Sequence, residues 1–174
     1  MKFYRGKIEI IAREILDSLI KENVVEIAPE LVDETCKDLE SVLLEYNRMD
    51  REISERAKEA AAKQGLDYSA VNRLRRSMAQ SKAFGIDDEA LDYVVHQMIE
   101  IMLSSNHVEE VFGQDHDLNR IMAPILRKHM STEEEVDREV RQKLKNLEAA
   151  EGTVSWEIEY RRKKEELERL KKLK

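Results

Sequence analysis

Asp50-Arg51-Glu52-Ile53 returns as Asp137-Arg138-Glu139-Val140, 87 positions further along the chain. At the same offset Met49 falls on Val136, Ala57 on Leu144, Lys58 on Lys145, Ala60 on Leu147, Gly65 on Gly152, Val71 on Ile158 and Arg75 on Arg162. Upstream the offset is 83: Ile8, Ile11, Ala12, Ile15, Leu16, Leu19 and Ile20 fall on Leu91, Val94, Val95, Met98, Ile99, Met102 and Leu103. Self-similarity at a fixed period means one structural unit written twice. The change of offset places about four extra residues between the first and second helices of the later copy. Gly85 lies at the junction, which divides the chain into a unit at 1–84 and a unit at 85–174. No flexible linker separates them, so the units are expected to pack closely.

Each copy opens on an amphipathic helix. Between residues 8 and 22 apolar side chains recur at i, i+3, i+4, i+7, i+8, i+11 and i+12, and residues 88–105 repeat the pattern. Asn23 and Asn106 follow at equivalent places, and Asn tolerates the left-handed geometry that ends helices. Pro29 suits the first position of a second helix through Leu31, Val32, Thr35, Leu39, Val42 and Leu43. Its counterpart runs through Leu118, Ile121, Met122, Ile125 and Leu126, with Pro124 predicting a kink or an altered start. The Asp-Arg-Glu segments fall on third helices. In the later copy Ser131 or Thr132, with Glu134 or Glu135 three residues on, reads as a capping box. In the earlier copy nothing breaks the chain between Tyr46 and Met49, so the second and third helices are free to run on with only a bend. Gly65 and Gly152 then end the third helices, and fourth helices follow near residues 68–82 and from 155 onward. The expected architecture is all-α: two similar four-helix units related by a pseudo-two-fold axis. Fusion of two copies replaces the symmetric dimer that single units would form.

Charged residues make up 39% of the 174, yet apolar ones still reach 41%, which separates a helical protein from a disordered one. Dense Glu, Lys and Arg is also a surface that heat-adapted proteins carry. With Cys36 alone, no internal disulfide forms, and a reducing, cytoplasmic setting is the expectation. The opening Met1-Lys2-Phe3-Tyr4-Arg5-Gly6-Lys7 lacks the apolar core of a signal peptide, and no run approaches a membrane span. The net charge of −7 argues against general coating of nucleic acid. It is unevenly spread: residues 87–139 carry 14 acidic against 4 basic side chains, and residues 140–174 carry 11 basic against 7 acidic.

Glu134-Glu135-Val136-Asp137-Arg138-Glu139-Val140 and Glu159-Tyr160-Arg161-Arg162 in the second copy carry a family resemblance. So do Asp67-Tyr68, Val71, Leu74, Arg75-Arg76, Ala79 and Gly85-Ile86 in the first, with the opening Phe3-Tyr4-Arg5-Gly6-Lys7-Ile8. On these residues the chain resembles a bacterial family known as domain of unknown function 507. Typical members resemble one copy of the unit, so the chain looks like a tandem fusion over its full length. The second copy departs by carrying Glu159 in place of the aspartate and by lacking a closing Gly-Ile. The resemblance implies a helical fold and no reaction or cofactor.

The duplicated signature residues Asp50, Arg51, Glu52, Asp137, Arg138 and Glu139, with Asp67, Tyr68 and Tyr160, are the first candidates for a site. Paired carboxylates with arginine clamps are one reading. Helix stabilisation is the other: acidic groups in a first turn favour the macrodipole, and Glu52 to Arg56 and Glu139 to Lys143 are i,i+4 pairs in the favourable orientation. A di-iron bundle needs Glu-x-x-His on two helices; the residues three before His96, His107, His116 and His129 are Tyr93, Ser104, Gly113 and Leu126, so that site is excluded. Asp92, His96 and Glu100, and Asp115-His116-Asp117, read as solvated polar faces before they read as metal ligands. Cys36 reads as a small buried apolar residue. Arg73, Arg75 and Arg76 in one fourth helix, and Arg161, Arg162, Lys163 and Lys164 in the other, are the candidate contacts for a partner or a phosphate. Trp156 reads as a packing anchor rather than a base-stacking platform.

These observations point first to a non-catalytic interaction or scaffold module with a protein partner, and self-association is compatible with it. An RNA- or DNA-associated factor using the basic fourth helices is the alternative, and a carboxylate-dependent metalloenzyme is the weaker one. No metal or cofactor is called for by any motif.

Overall fold

The computed structural model describes residues 3–145 and 153–171. Six α-helices are described: α1 (Arg5–Lys21), α2 (Val32–Lys63), α3 (Tyr68–Ser81), α4 (Ala90–Ser104), α5 (Asp115–Leu144) and α6 (Val154–Leu170). Two short strands, β1 (Val25–Glu26) and β2 (Glu110–Val111), pair antiparallel with Val25 opposite Val111 and Glu26 opposite Glu110. The order helix, short strand, long helix, shorter helix therefore occurs twice. No helix among the described residues is long and apolar enough to cross a membrane.

The two amphipathic stripes form, with one correction: Leu103, expected at the end of the second, lies on the outward side of its helix and is exposed. Ile8, Ile11, Ala12, Ile15, Leu16 and Leu19 are buried along α1, and Ala90, Val94, Val95, Met98, Ile99 and Met102 along α4. Each of these helices packs against both α2 and α5, so four helices share one core that includes Leu39, Leu43, Leu118, Met122 and Leu126. Beyond this body the long helices continue. The far half of α2 pairs with α3, and the far half of α5 pairs with α6, around a smaller cluster of Val136, Val140, Leu144 and Leu167 joined by Tyr4.

Where four helices are expected in each half, the described residues form three; in the first half this is the run-on that the unbroken stretch from Tyr46 to Met49 leaves open, and in the second it is a correction. The second and third expected helices of each half are one helix, with α2 of 32 residues and α5 of 30, spanning about 48 and 45 Å at 1.5 Å per residue. No breaker interrupts the stripe from Leu39 through Leu43, Tyr46 and Ile53, all buried. In α5 the helix passes through both Pro124 and the Ser131-Thr132 pair; the side chains of 131–134 lie outside the described residues. Serine and threonine lower helix propensity by only a few tenths of a kcal/mol, too little to break a helix that buries Leu126 on one side and Val136 and Val140 on the other. Proline costs more, about 3 kcal/mol, and is carried by the burial of Met122, Ala123 and Leu126 around it. A capping box does start α5, but at Gln114 and Asp117.

Helix ends follow the sequence in the first half. Asn23 (φ 53°) and Gly65 (φ 62°) are left-handed and follow α1 and α2. Asn106 is not left-handed; α4 ends through an extended Ser105 instead. Gly152 and residues 172–174 lie outside the described residues.

Candidate functional site

Asp50 sits deep inside α2, and Asp137 in the later part of α5. The expected first-turn placement is therefore corrected: neither signature meets the positive end of a helix, because its helix begins well upstream. Each aspartate instead ties a long helix to the helix packed on it. Asp50 Oδ1 accepts from Arg75 Nη2 of α3 at 2.7 Å, and Arg75 Nη1 reaches Asp87 Oδ1, just before α4, at 3.0 Å. Arg75 and Asp50 are 17% and 18% exposed, so this bridge is largely shielded from water. Asp137 accepts from the Tyr160 hydroxyl of α6 and, at 2.8 Å, from Arg141 Nε one turn along its own helix.

The glutamates behave as stabilising pairs. Glu52 lies 3.0 Å from Arg56 and 3.1 Å from Arg48; Glu139 lies 3.4 Å from Lys143 and 2.8 Å from Lys171. Arg51 and Arg138 are exposed on the outer faces and do not clamp the neighbouring carboxylates. Asp67 caps α3, its carboxylate accepting from the Ala70 amide at 3.1 Å. The Tyr68 side chain lies outside the description. The two signatures thus have separate partners on separate helix pairs. Among the described residues no group of three His, Cys, Asp or Glu side chains is placed to hold a metal ion.

On the basic helices the guanidinium of Arg76 faces Asp87 at 3.3 Å, and Arg73 is exposed. In α6 Arg162 pairs with Glu159 at 2.7 Å and Lys163 with Glu166 at 2.9 Å, while Arg161 is exposed. Trp156 and Tyr160 stack on each other at 5.0 Å between centroids and pack on the smaller apolar cluster. Arg141 stands over both rings at 5.5 and 5.7 Å, and Lys164 over Tyr160 at 6.0 Å. Those contacts make Trp156 a packing anchor with a cation on its face. The outward side of α6 is different: Val154, Ile158 and Leu170 are 76%, 62% and 72% exposed.

Two polar clusters had no signal in the sequence because their members lie far apart along it. Asp38 Oδ2 accepts from Ser105 Oγ at 2.6 Å and lies 2.8 Å from His107 Nδ1, joining α2 to the loop after α4. Serine donates to the carboxylate rather than to the imidazole, so this is a loop anchor and not a nucleophile with its base. Glu14 of α1 meets Lys128 at 2.8 Å and His129 at 3.0 Å on α5. Cys36 is buried, and burial pushes its thiol up to about 11, which keeps it a thiol at neutral pH. A cleft of about 160 Å³ beside Tyr46, Phe84 and Tyr93 is smaller than ligand pockets, which begin at roughly 300 Å³.

Three carboxylates that join elements are held below the usual range. Burial alone would raise Asp87, but Arg75 and Arg76 outweigh it. Burial likewise opposes, and Tyr160 and Arg141 overcome it, at Asp137. Hydrogen bonds from Lys128 and His129 lower Glu14. A carboxylate whose folded value lies below its unfolded value binds fewer protons when folded. Its contribution is complete above the unfolded value near 4 and is lost as pH falls through the lowered one. Urea midpoints are therefore expected to hold from neutral pH to about 5 and to fall steadily below about 4. A midpoint that stays level down to about pH 3 would show these bridges to be neutral for stability.

One protein-family model matches the chain, over residues 1–173, and its description is "Protein of unknown function (DUF507)". It extends through both halves as a single match. No curated protein matches the chain.

Proposed function

We propose a non-catalytic docking role for this chain, which belongs to the DUF507 family of proteins of unknown function. One observation carries the reading. The signature carboxylates are engaged by internal partners that fasten α3 and α6 to the long helices, while α6 turns Val154 and Ile158 outward beside Arg161 and Arg162. Aliphatic side chains at i and i+4, left in water next to cations, are the composition of a partner-binding face. The acidic stretch of the second half supplies a surface of opposite sign. The chain's expected setting is the cytoplasm.

The twofold succession of elements supports an internal duplication, with units at 1–84 and 85–174. The β1–β2 pair fits a pseudo-two-fold axis between them: the strand centres are 85 residues apart, between the offsets of 83 and 87 that relate the helices on either side.

The test is capture from lysate by the full chain beside a variant with Arg161, Arg162, Lys163 and Lys164 all changed to Glu. A protein retained by the first and lost by the second supports docking through α6. Equal retention, or none above an unrelated helical control, removes it. The alternative of RNA or DNA binding draws on Arg141 and Lys164 at the Trp156–Tyr160 stack. It requires affinity that falls steeply with salt, and absence of binding at low salt removes it.

A further inference from the structure

We propose that the chain binds a second copy of itself, with α6 of one copy packing antiparallel on the outward stripe of α4 of the other. This deepens the docking reading of α6 by naming the partner.

The outward face of α4 carries Asp92, His96, Glu100 and Leu103, all exposed, at successive steps of four, four and three. Such spacing follows one side of a helix as a narrow seam. The outward face of α6 carries Arg169, Glu165, Arg161 and Ile158, also all exposed, and read backwards its steps are again four, four and three. Laid antiparallel, the two rows meet in one register: Leu103 on Ile158, Glu100 on Arg161, His96 on Glu165, Asp92 on Arg169. Leu103 and Ile158, each 62% exposed, would cover one another, with Val154 alongside. Laid parallel, Glu100 would face Glu165 and Leu103 would face Arg169, so the charge pattern selects one direction. Among the described residues nothing fills either stripe: α4 turns its opposite side to α2 and α5, and α6 turns its other side to α5. The contact joins two different surfaces, which makes it heterologous. A single seam of helices this short belongs with small, transient interfaces, so association is expected in the micromolar range or weaker.

Sedimentation of the purified full chain tests this, from about 10 µM to about 1 mM at low and high salt. The expected mass rises with concentration above the monomer value of 20.4 kDa at low salt and returns toward it at roughly 0.5 M salt. Glu100→Arg and Arg161→Glu each place like charges across the seam and shift the midpoint upward roughly tenfold or more. An equimolar mixture of the two variants restores association, because each repaired seam again pairs opposite charges. Circular dichroism of both variants matching the parent separates lost contact from lost fold. A parent that stays monomeric at about 1 mM, variants that associate like the parent, or a mixture that does not recover would each overturn the proposal. A monomeric parent that still loses its lysate partner on charge reversal in α6 overturns self-association and leaves docking standing.

Discussion

Replacing Arg75 with methionine is expected to cost about 2 to 3 kcal/mol. Arg75 is the joint between three elements, holding Asp50 of α2 at 2.7 Å and Asp87 ahead of α4 at 3.0 Å. Methionine keeps the packing of the stem and removes both charge-assisted hydrogen bonds. Asp50, 18% exposed beside Arg75, then loses its cation, and Asp87 keeps Arg76. Hydrogen bonds to charged groups contribute about 1.5 to 3 kcal/mol, and breaking a fully buried pair costs about 3 to 5; partial exposure keeps this one in the upper part of the first range. Asp50→Asn, which keeps an acceptor, should cost less. The double variant should cost less than the sum of the two, with a coupling of about 1 kcal/mol or more in urea titrations. Additive losses under about 0.5 kcal/mol each would mean Asp50 does not hold the arm, and would return it to the pool of candidate functional groups.

That measurement bears directly on what was legible in the sequence. Periodicity alone located α1 and α4, because each buries a single stripe whose spacing is visible without knowing its neighbours. The left-handed Asn23 and Gly65 were legible for the same local reason. The run-on of α2 was open in the sequence, since nothing breaks the chain between Tyr46 and Met49, but the continuity of α5 was not legible. A serine, a threonine or even Pro124 looks like a boundary in a window of a few residues. Whether it becomes one depends on burial supplied by helices far away in the chain. The i,i+4 partners of Glu52 and Glu139 could be read off directly, whereas Arg75 as the partner of Asp50 could not, since 25 residues separate them. The offset of 87 even misleads: Arg75 maps to Arg162, yet Asp137 is met by Tyr160 and Arg141. The aspartate keeps its place in both halves while its donor changes. What recurs is thus the need for an acceptor facing the packed helix, met by whichever donor the local sequence offers.

The largest loss of stability is expected from Tyr46→Ala. Tyr46 is 2% exposed and stands where the N-terminal segment, α2, the α3–α4 connection and α4 meet. Its ring lies 6.0 Å from that of Phe3, 5.0 Å from Phe84 and 6.1 Å from Tyr93, and its hydroxyl donates to the Gly85 carbonyl at 3.3 Å. Truncation of a large buried aromatic costs about 3 to 5 kcal/mol, with the higher end where the surroundings cannot close the cavity. Here they cannot close it freely. Gly85 already sits so near α4 that a Cβ on it would fall 2.5 Å from Tyr93 Cβ and 2.7 Å from the Glu89 carbonyl oxygen, so the connection has no slack to move along the helix. Thermal midpoints should fall by about 6 to 20 °C, given 2 to 4 °C per kcal/mol in a chain of this size. Tyr46→Phe separates the two contributions: it keeps the ring stack and removes one hydrogen bond, for about 0.5 to 1.5 kcal/mol. If alanine costs no more than phenylalanine, the cluster relaxes around the missing ring. The junction of the first arm with the body would then be held by Arg75 and Asp50 rather than by packing.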